Sequence, residues 1–184
     1  MHQNSLQAGS TALIVVDIQE AFRDAIPGSS SLIERAVIAV QGFQILGLPV
    51  IVTEQYPKGL GRTVEEILLS LSDVGGILEK STFSAIGCEA VVERLKAGGI
   101  QKVLICGVET HVCVNQTAHD LLASGFDVHL LLDAVGSRNE TDKDAAIRKM
   151  TFSGVVPSTV EMALFELMRD SRHPHFKEIQ SLIK

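Results

Sequence analysis

No tryptophan occurs among the 184 residues, and Tyr56 is the sole tyrosine, so stacking platforms for nucleic-acid bases are scarce. Positive charge is also thin. Sixteen lysines and arginines stand against 22 acidic residues, the net charge is −6, and no basic stripe forms. That balance argues against nucleic acid as a partner. No apolar run reaches the roughly 20 residues a membrane-spanning helix needs. The opening stretch MHQNSLQAGST has no basic start leading into an apolar core. Neither membrane insertion nor secretion is expected, and the expected location is cytoplasmic. The three cysteines, Cys88, Cys106 and Cys113, are an odd number in a chain large enough to fold without staples. They read as free thiols in a reducing compartment. A hydrophobic share of 46% with 21% charged residues indicates one folded domain over residues 1–184, with its core at about 11–168.

Thr11 to Val16 is apolar and stops on Asp17. Pro49 to Thr53, Ile77 to Lys80, Lys102 to Cys106, Asp127 to Leu132 and Val155-Val156 are further strand candidates. Between them lie helical patterns at Leu32–Leu46, Thr63–Leu71, Glu89–Ala97, the stretch from about Cys113 to Ser124, and Glu140–Thr151. Val160–Arg169 follows, opened by a capping-box pattern at Ser158 to Glu161, and the tail from His173 forms one more helix. Strands alternating with helices give an α/β fold with a mainly parallel sheet and helices on both faces. In such sheets ligands bind beyond the carboxyl ends of the strands. Asp17, Lys80 and Cys113 each follow or end a strand, so the three can meet at one edge.

Cys113 opens a helical pattern just after the turn at Gly107. A helix N-terminus and a nearby ammonium both stabilise a thiolate, so a lowered thiol pKa is expected. Lys80 can supply the positive charge. Asp17 can pair with it, accept the thiol proton and later return it to a leaving group. Backbone N–H groups between Glu109 and Cys113 can receive an oxyanion. Together these parts describe acyl transfer from an amide through a thioester. Bland readings stand beside each: most cysteines are buried small hydrophobes, Asp17 can cap a turn, and Lys80 can be a solvated edge residue.

Three segments carry a family likeness. VVDIQEAF (Val15 to Phe22), EKSTFSAI (Glu79 to Ile86) and CGVETHVCV (Cys106 to Val114) resemble the signature segments of the isochorismatase-like cysteine hydrolases, in the same order over roughly Thr11 to Met168. The GV-x-T-x-x-CV pattern is the specific part. The resemblance implies Asp17 as general base and acid, Lys80 as its activating partner and Cys113 as nucleophile. It implies a cis peptide between Val108 and Glu109 that turns the N–H groups of Glu109 and Cys113 toward an oxyanion. It also implies a three-layer fold with a six-stranded parallel sheet in the order 3-2-1-4-5-6, and assembly into homo-oligomers.

Departures narrow the activity. Nicotinamidases of the family carry an Asp and two His residues after the second strand that bind metal. Here the loop reads Glu54-Gln55-Tyr56, so no metal and no cofactor is expected. Isochorismatases proper cleave a vinyl ether without needing the thiol, and Cys113 argues against that specialisation. TEQYPKGLG resembles the subgroup known only as isochorismatase domain-containing proteins. Adjacency nominates Phe22, Gln55, Tyr56, Phe83 and Thr110 as pocket walls, with core packing equally open for Phe22 and Phe83. The expected function is metal-independent hydrolysis of a small-molecule amide or carbamoyl C–N bond. The alternatives are a thiol-based redox sensor or binding protein, and a vinyl-ether hydrolase. Cys106 reads as buried and inert. His111 lies in the active turn, while His119 and His129 fit no metal-ligand spacing.

Overall fold

Aliphatic and β-branched runs pair in parallel when both of their faces are to be covered. In the computed structural model, which describes residue 2 and residues 4–184, such runs form the centre of one six-stranded sheet. Met1 and Gln3 of the polar opening stretch lie outside the described residues. The strands are β1 (Thr11–Val16), β2 (Val50–Gln55), β3 (Leu78–Lys80), β4 (Lys102–Val108), β5 (Asp127–Gly136) and β6 (Val156–Ser158). Their order is β3-β2-β1-β4-β5-β6, and every ladder between them is parallel. The helices are α1 (Ser29–Ile45), α2 (Pro57–Leu60), α3 (Glu65–Ser70), α4 (Glu89–Ala97), α5 (Asn115–Ala123), α6 (Glu140–Phe152), α7 (Val160–Met168) and α8 (Phe176–Ile183).

Successive strand residues point to opposite faces, and β1 divides accordingly. Leu13 and Val15 join Phe43 of α1, Leu164 of α7 and Ile179 of α8 in one core layer. Ile14 and Val16 join Leu95 of α4, Leu121 of α5 and Met150 of α6 in the other. The result is the three-layer α/β sandwich with helices on both faces. Cys106 falls in the first layer and Cys113 in the second, so the two thiols lie on opposite sides of the sheet.

Several boundaries move from their sequence positions. Helix α1 starts at Ser29 rather than Leu32, after Gly28 in a left-handed conformation that ends the preceding turn. Strand β5 continues past Leu132 to Gly136 across a register shift opposite Ile105 and Gly107. Asp133, which reads as a stop signal, instead lies inside the strand and accepts a hydrogen bond from the Val160 N–H at the start of α7. The cap of α7 is Thr159, whose hydroxyl accepts from the Met162 N–H.

One strand residue gives the fold a pH dependence. His129 of β5 is 1% exposed, and its Nε2 has no hydrogen-bond partner among the described residues. Burial, reinforced by the Lys102 ammonium and opposed by Asp127, pushes its pKa down from 6.5 to about 4. The folded protein therefore holds the imidazole neutral, whereas the unfolded chain takes up a proton first as pH falls. Stability from this group is fully present above pH 6.5 and is lost as pH drops toward 4, by on the order of 3 kcal/mol. Urea titrations at pH 7 and 4.5 should show that loss. A His129→Gln variant should show a shallower one over the same window, and an equal slope would rule His129 out as the cause.

Candidate active site

The carboxyl ends of β1, β2, β3 and β4 bring the nominated residues to one edge. Asp17 follows β1 directly, with φ of 53° and no exposure to solvent. Its N–H donates to the Thr53 carbonyl at 3.2 Å, and its Oδ1 accepts from the Thr53 hydroxyl at 2.8 Å. Lys80 Nζ, from the last residue of β3, donates to Asp17 Oδ2 at 2.6 Å. The same ammonium donates to Gln55 Oε1 at 2.7 Å, to the Phe83 carbonyl at 2.9 Å and to the Thr82 carbonyl at 3.1 Å. Four acceptors thus share its three protons. The two charged side chains are 0% and 1% exposed, so this is an ion pair held out of water whose lone pairs and protons are otherwise satisfied.

Gln55 is fixed in turn. Its side-chain amide donates to the Ser81 carbonyl, and its backbone N–H donates to Gln19 Oε1 at 2.7 Å. Gln19 Nε2 donates back to the Gln55 carbonyl and to the Gly61 carbonyl. Sequence reasoning does not nominate Gln19 or Thr53. Their signal is available in the D-x-Q spacing and in the polar residue ending an apolar strand, but neither names its partner. Gly107 lets β4 lie against the end of β1. Its φ is +123°, and a Cβ there would sit 2.0 Å from the Val16 carbonyl oxygen, so only glycine fits.

Cys113 follows β4, but not at the first turn of an α-helix. Thr110–Val114 form a π-helical turn, and α5 begins at Asn115. The peptide bond between Val108 and Glu109 is cis, and the Glu109 carbonyl accepts from the N–H groups of Val112 and Val114. Cys113 is only 6% exposed. Its thiol pKa is not lowered as the helix-end argument expects but pushed up to about 12. Burial is the main cause, followed by the negative charge of Asp17, hydrogen bonding to that carboxylate and the charge of Glu109. Lys80 opposes these, but its charge is already spent on Asp17. The group is therefore held as a neutral thiol with the Asp17 side chain next to it.

Two contacts from the end of β5 grip this turn. Arg138 donates to Glu109 Oε1 from Nε at 2.9 Å and from its backbone N–H at 3.2 Å. His111 Nδ1 lies 3.0 Å from the Ser137 hydroxyl. Of the nominated pocket walls, Gln55 reaches the ion pair, and Thr110 is fully buried within the turn with its hydroxyl unpartnered among the described residues. Tyr56 and Phe83 are 60% and 53% exposed on the loops after β2 and β3. Phe22 is partly buried, packing against the core layer beneath α1 and lining an apolar hollow with Ile18, Ile26 and Val108. An aromatic ring needs large apolar contacts, and the core supplies them.

Glu54, at the position where a metal ligand would be sought, is occupied by the Thr63 N–H and hydroxyl and by Arg62. Among the described residues no group of three or more His, Cys, Asp or Glu side chains is placed to hold a metal ion, and no helix is long and apolar enough to cross a membrane.

The isochorismatase domain model matches residues 11–162. The chain is 43% identical over 180 residues to isochorismatase domain-containing protein 1 of Salmo salar, an alignment covering 98% of this chain and 63% of that protein. It thus spans somewhat less than two thirds of that relative's length. Identity to isochorismatase domain-containing protein 2 of Danio rerio is 40% over 181 residues, covering 97% of this chain and 89% of that one. Among solved structures, a MAR1 ribonuclease from Caenorhabditis elegans superposes with a TM-score of 0.93 at 39% identity, covering 97% of this chain and 92% of that one. Sheet order, family match and relatives of this closeness agree, and the chain belongs to the isochorismatase domain family.

Proposed function

We propose that this protein hydrolyses a small amide or carbamoyl-type C–N bond through a thioester on Cys113, with Asp17 as base and acid and Lys80 as its charged, hydrogen-bonded partner. The observation that carries this reading is the desolvated Asp17–Lys80 pair at the same sheet edge as the buried Cys113 thiol. A solvated edge lysine or a turn-capping aspartate would not be buried to this degree.

In the first half-reaction the Cys113 sulfur attacks the carbonyl carbon as its proton passes to the Asp17 carboxylate. The carbonyl π pair moves to oxygen, and the backbone N–H groups of Glu109 and Cys113 receive that oxyanion. Collapse breaks the C–N bond, and the departing amine takes the proton from Asp17. In the second half-reaction Asp17 removes a proton from water as its oxygen attacks the thioester. The C–S bond then breaks, the proton returns to sulfur, and the acid is released.

RNA, the substrate class named for the C. elegans relative, fits this chain poorly. Its net charge is −6, and Lys80 is already saturated by acceptors. The test is a panel of primary amides and carbamoyl compounds assayed for ammonia release, with rapid-quench mass spectrometry of the Cys113 peptide. Repeated turnover with a transient acyl adduct on Cys113 is expected. A redox sensor would instead be modified once with no product released, and that outcome removes the hydrolase reading.

A further inference from the structure

Glu109 is the one carboxylate that the active turn itself contributes. It leaves the end of β4 four residues before the nucleophile proposed above, is 6% exposed, and its charge bears on the Cys113 thiol. Its partner is Arg138, and the two Arg138 donors both fall on Oε1. Among the described residues Oε2 receives no hydrogen bond. Half of a nearly buried carboxylate is thus engaged and half is left as an acceptor.

The other charges near the thiol do not balance it. Lys80 has Asp17, Gln55 and two carbonyls on its ammonium, leaving no proton for a substrate anion. Asp17 adds a second negative charge on the thiol side. Arg138 approaches from outside: its side chain is 59% exposed against 8% for Glu109, so water screens the cation far more than the carboxylate. The inner site therefore carries two buried carboxylates against one fully committed ammonium.

We propose that Glu109 sets the charge class of the substrate: Oε2 accepts a hydrogen bond from an N–H-bearing group, neutral or cationic, and repels ligands with a carboxylate near the scissile carbonyl. This deepens the hydrolase reading and rests on it for the word substrate. The charge filter itself is a property of access to Cys113. Specificity of this kind comes as much from what a site repels as from what it attracts.

Two alkylating probes of nearly equal size test the filter without requiring hydrolysis. Iodoacetamide is neutral and iodoacetate is anionic. Each forms an S–C bond to Cys113 with loss of iodide while the thiol proton passes to a base. Rates on the Cys113 peptide, measured by mass spectrometry on the intact protein and normalised to glutathione for each reagent, give a selectivity ratio. In the wild type iodoacetamide should be favoured at least about tenfold, since a like charge within several ångströms of a weakly screened carboxylate is repelled by that order. Glu109→Gln should cut the preference below about threefold, because the repelling charge is gone. Arg138→Gln, which removes the screening cation and leaves the carboxylate, should raise it.

A Glu109→Gln ratio within about twofold of wild type overturns the proposal, since removing the charge would then have changed nothing. So does a fall in the Arg138→Gln ratio, which decides the matter should the Glu109→Gln variant fail to fold. Absence of Cys113 labelling by either reagent in the folded protein also overturns it, because a carboxylate that no solute reaches selects nothing. The two readings fail separately. Charge selectivity with no ammonia released from any amide keeps the filter and removes the hydrolase, whereas amide turnover with equal alkylation rates does the reverse.

Discussion

A Lys80→Met variant is expected to lose about 3–5 kcal/mol of stability and nearly all thiol-dependent turnover. Methionine has similar length and packs readily in apolar surroundings, so loss of volume is not the cause. The cause is Asp17, which is 0% exposed and would be left as a buried charge without its 2.6 Å partner. Removing one member of a buried pair typically costs that amount, more than removing both. Three further acceptors, Gln55 Oε1 and the Thr82 and Phe83 carbonyls, would lose their donor at the same time. The double variant Asp17→Asn/Lys80→Met should recover part of the lost stability, which a double-mutant cycle from denaturant titrations would read. A Lys80→Met loss below about 1 kcal/mol, the level of an exposed pair, would mean that the pair is solvated in practice. The argument for a desolvated base would go with it.

The strand runs are legible because a parallel sheet covered on both faces needs continuous apolar residues, and TALIVV and KVLIC supply them without polar interruption. Alternation within those runs sends Cys106 to one layer and Ile105 to the other, which no composition reveals. The extension of β5 is hidden because Asp133 looks like a terminator, and its reason for lying inside the strand is a backbone N–H 27 residues away. The meeting of Asp17 with Lys80, 63 residues apart, follows from one rule about strand ends.

The thiol departs from its expected state for a physical reason. A helix end and a lysine are visible in a sequence, but the depth of burial is not. Nor is the fact that the lysine's protons are all taken. The π-helical turn displaces the start of α5 to Asn115, so Cys113 does not occupy the helix end that a lowered pKa requires. Arg138 and Ser137 are invisible because they reach Glu109 and His111 from 29 and 26 residues downstream, with no spacing pattern to mark them. Phe22 lies near Asp17 in sequence and packs, partly buried, against one core layer.

Replacing Cys113 by alanine should lower hydrolysis by on the order of 10⁴-fold while leaving the fold intact. The second half of that statement follows from the site: the thiol fills a small volume in the layer beneath α4, α5 and α6, and its removal leaves the Asp17–Lys80 pair with its remaining partners. The first half follows from the chemistry. With its pKa pushed up to about 12, the thiol is a poor nucleophile alone, and the proposed route needs proton transfer to Asp17 as it attacks. Asp17→Asn should therefore cost nearly as much activity as Cys113→Ala, and the double variant no more than either, since the two act as one unit. Steady-state kinetics on any turned-over amide, with circular dichroism to check folding, measures all three. A vinyl-ether hydrolase that merely retains the thiol would keep most of its activity in Cys113→Ala and lose it in Asp17→Asn. The two variants thus separate a thioester route from an acid-catalysed one. A Cys113→Ala enzyme within about tenfold of wild type, far short of the loss expected for a missing nucleophile, would assign the chemistry to Asp17 alone.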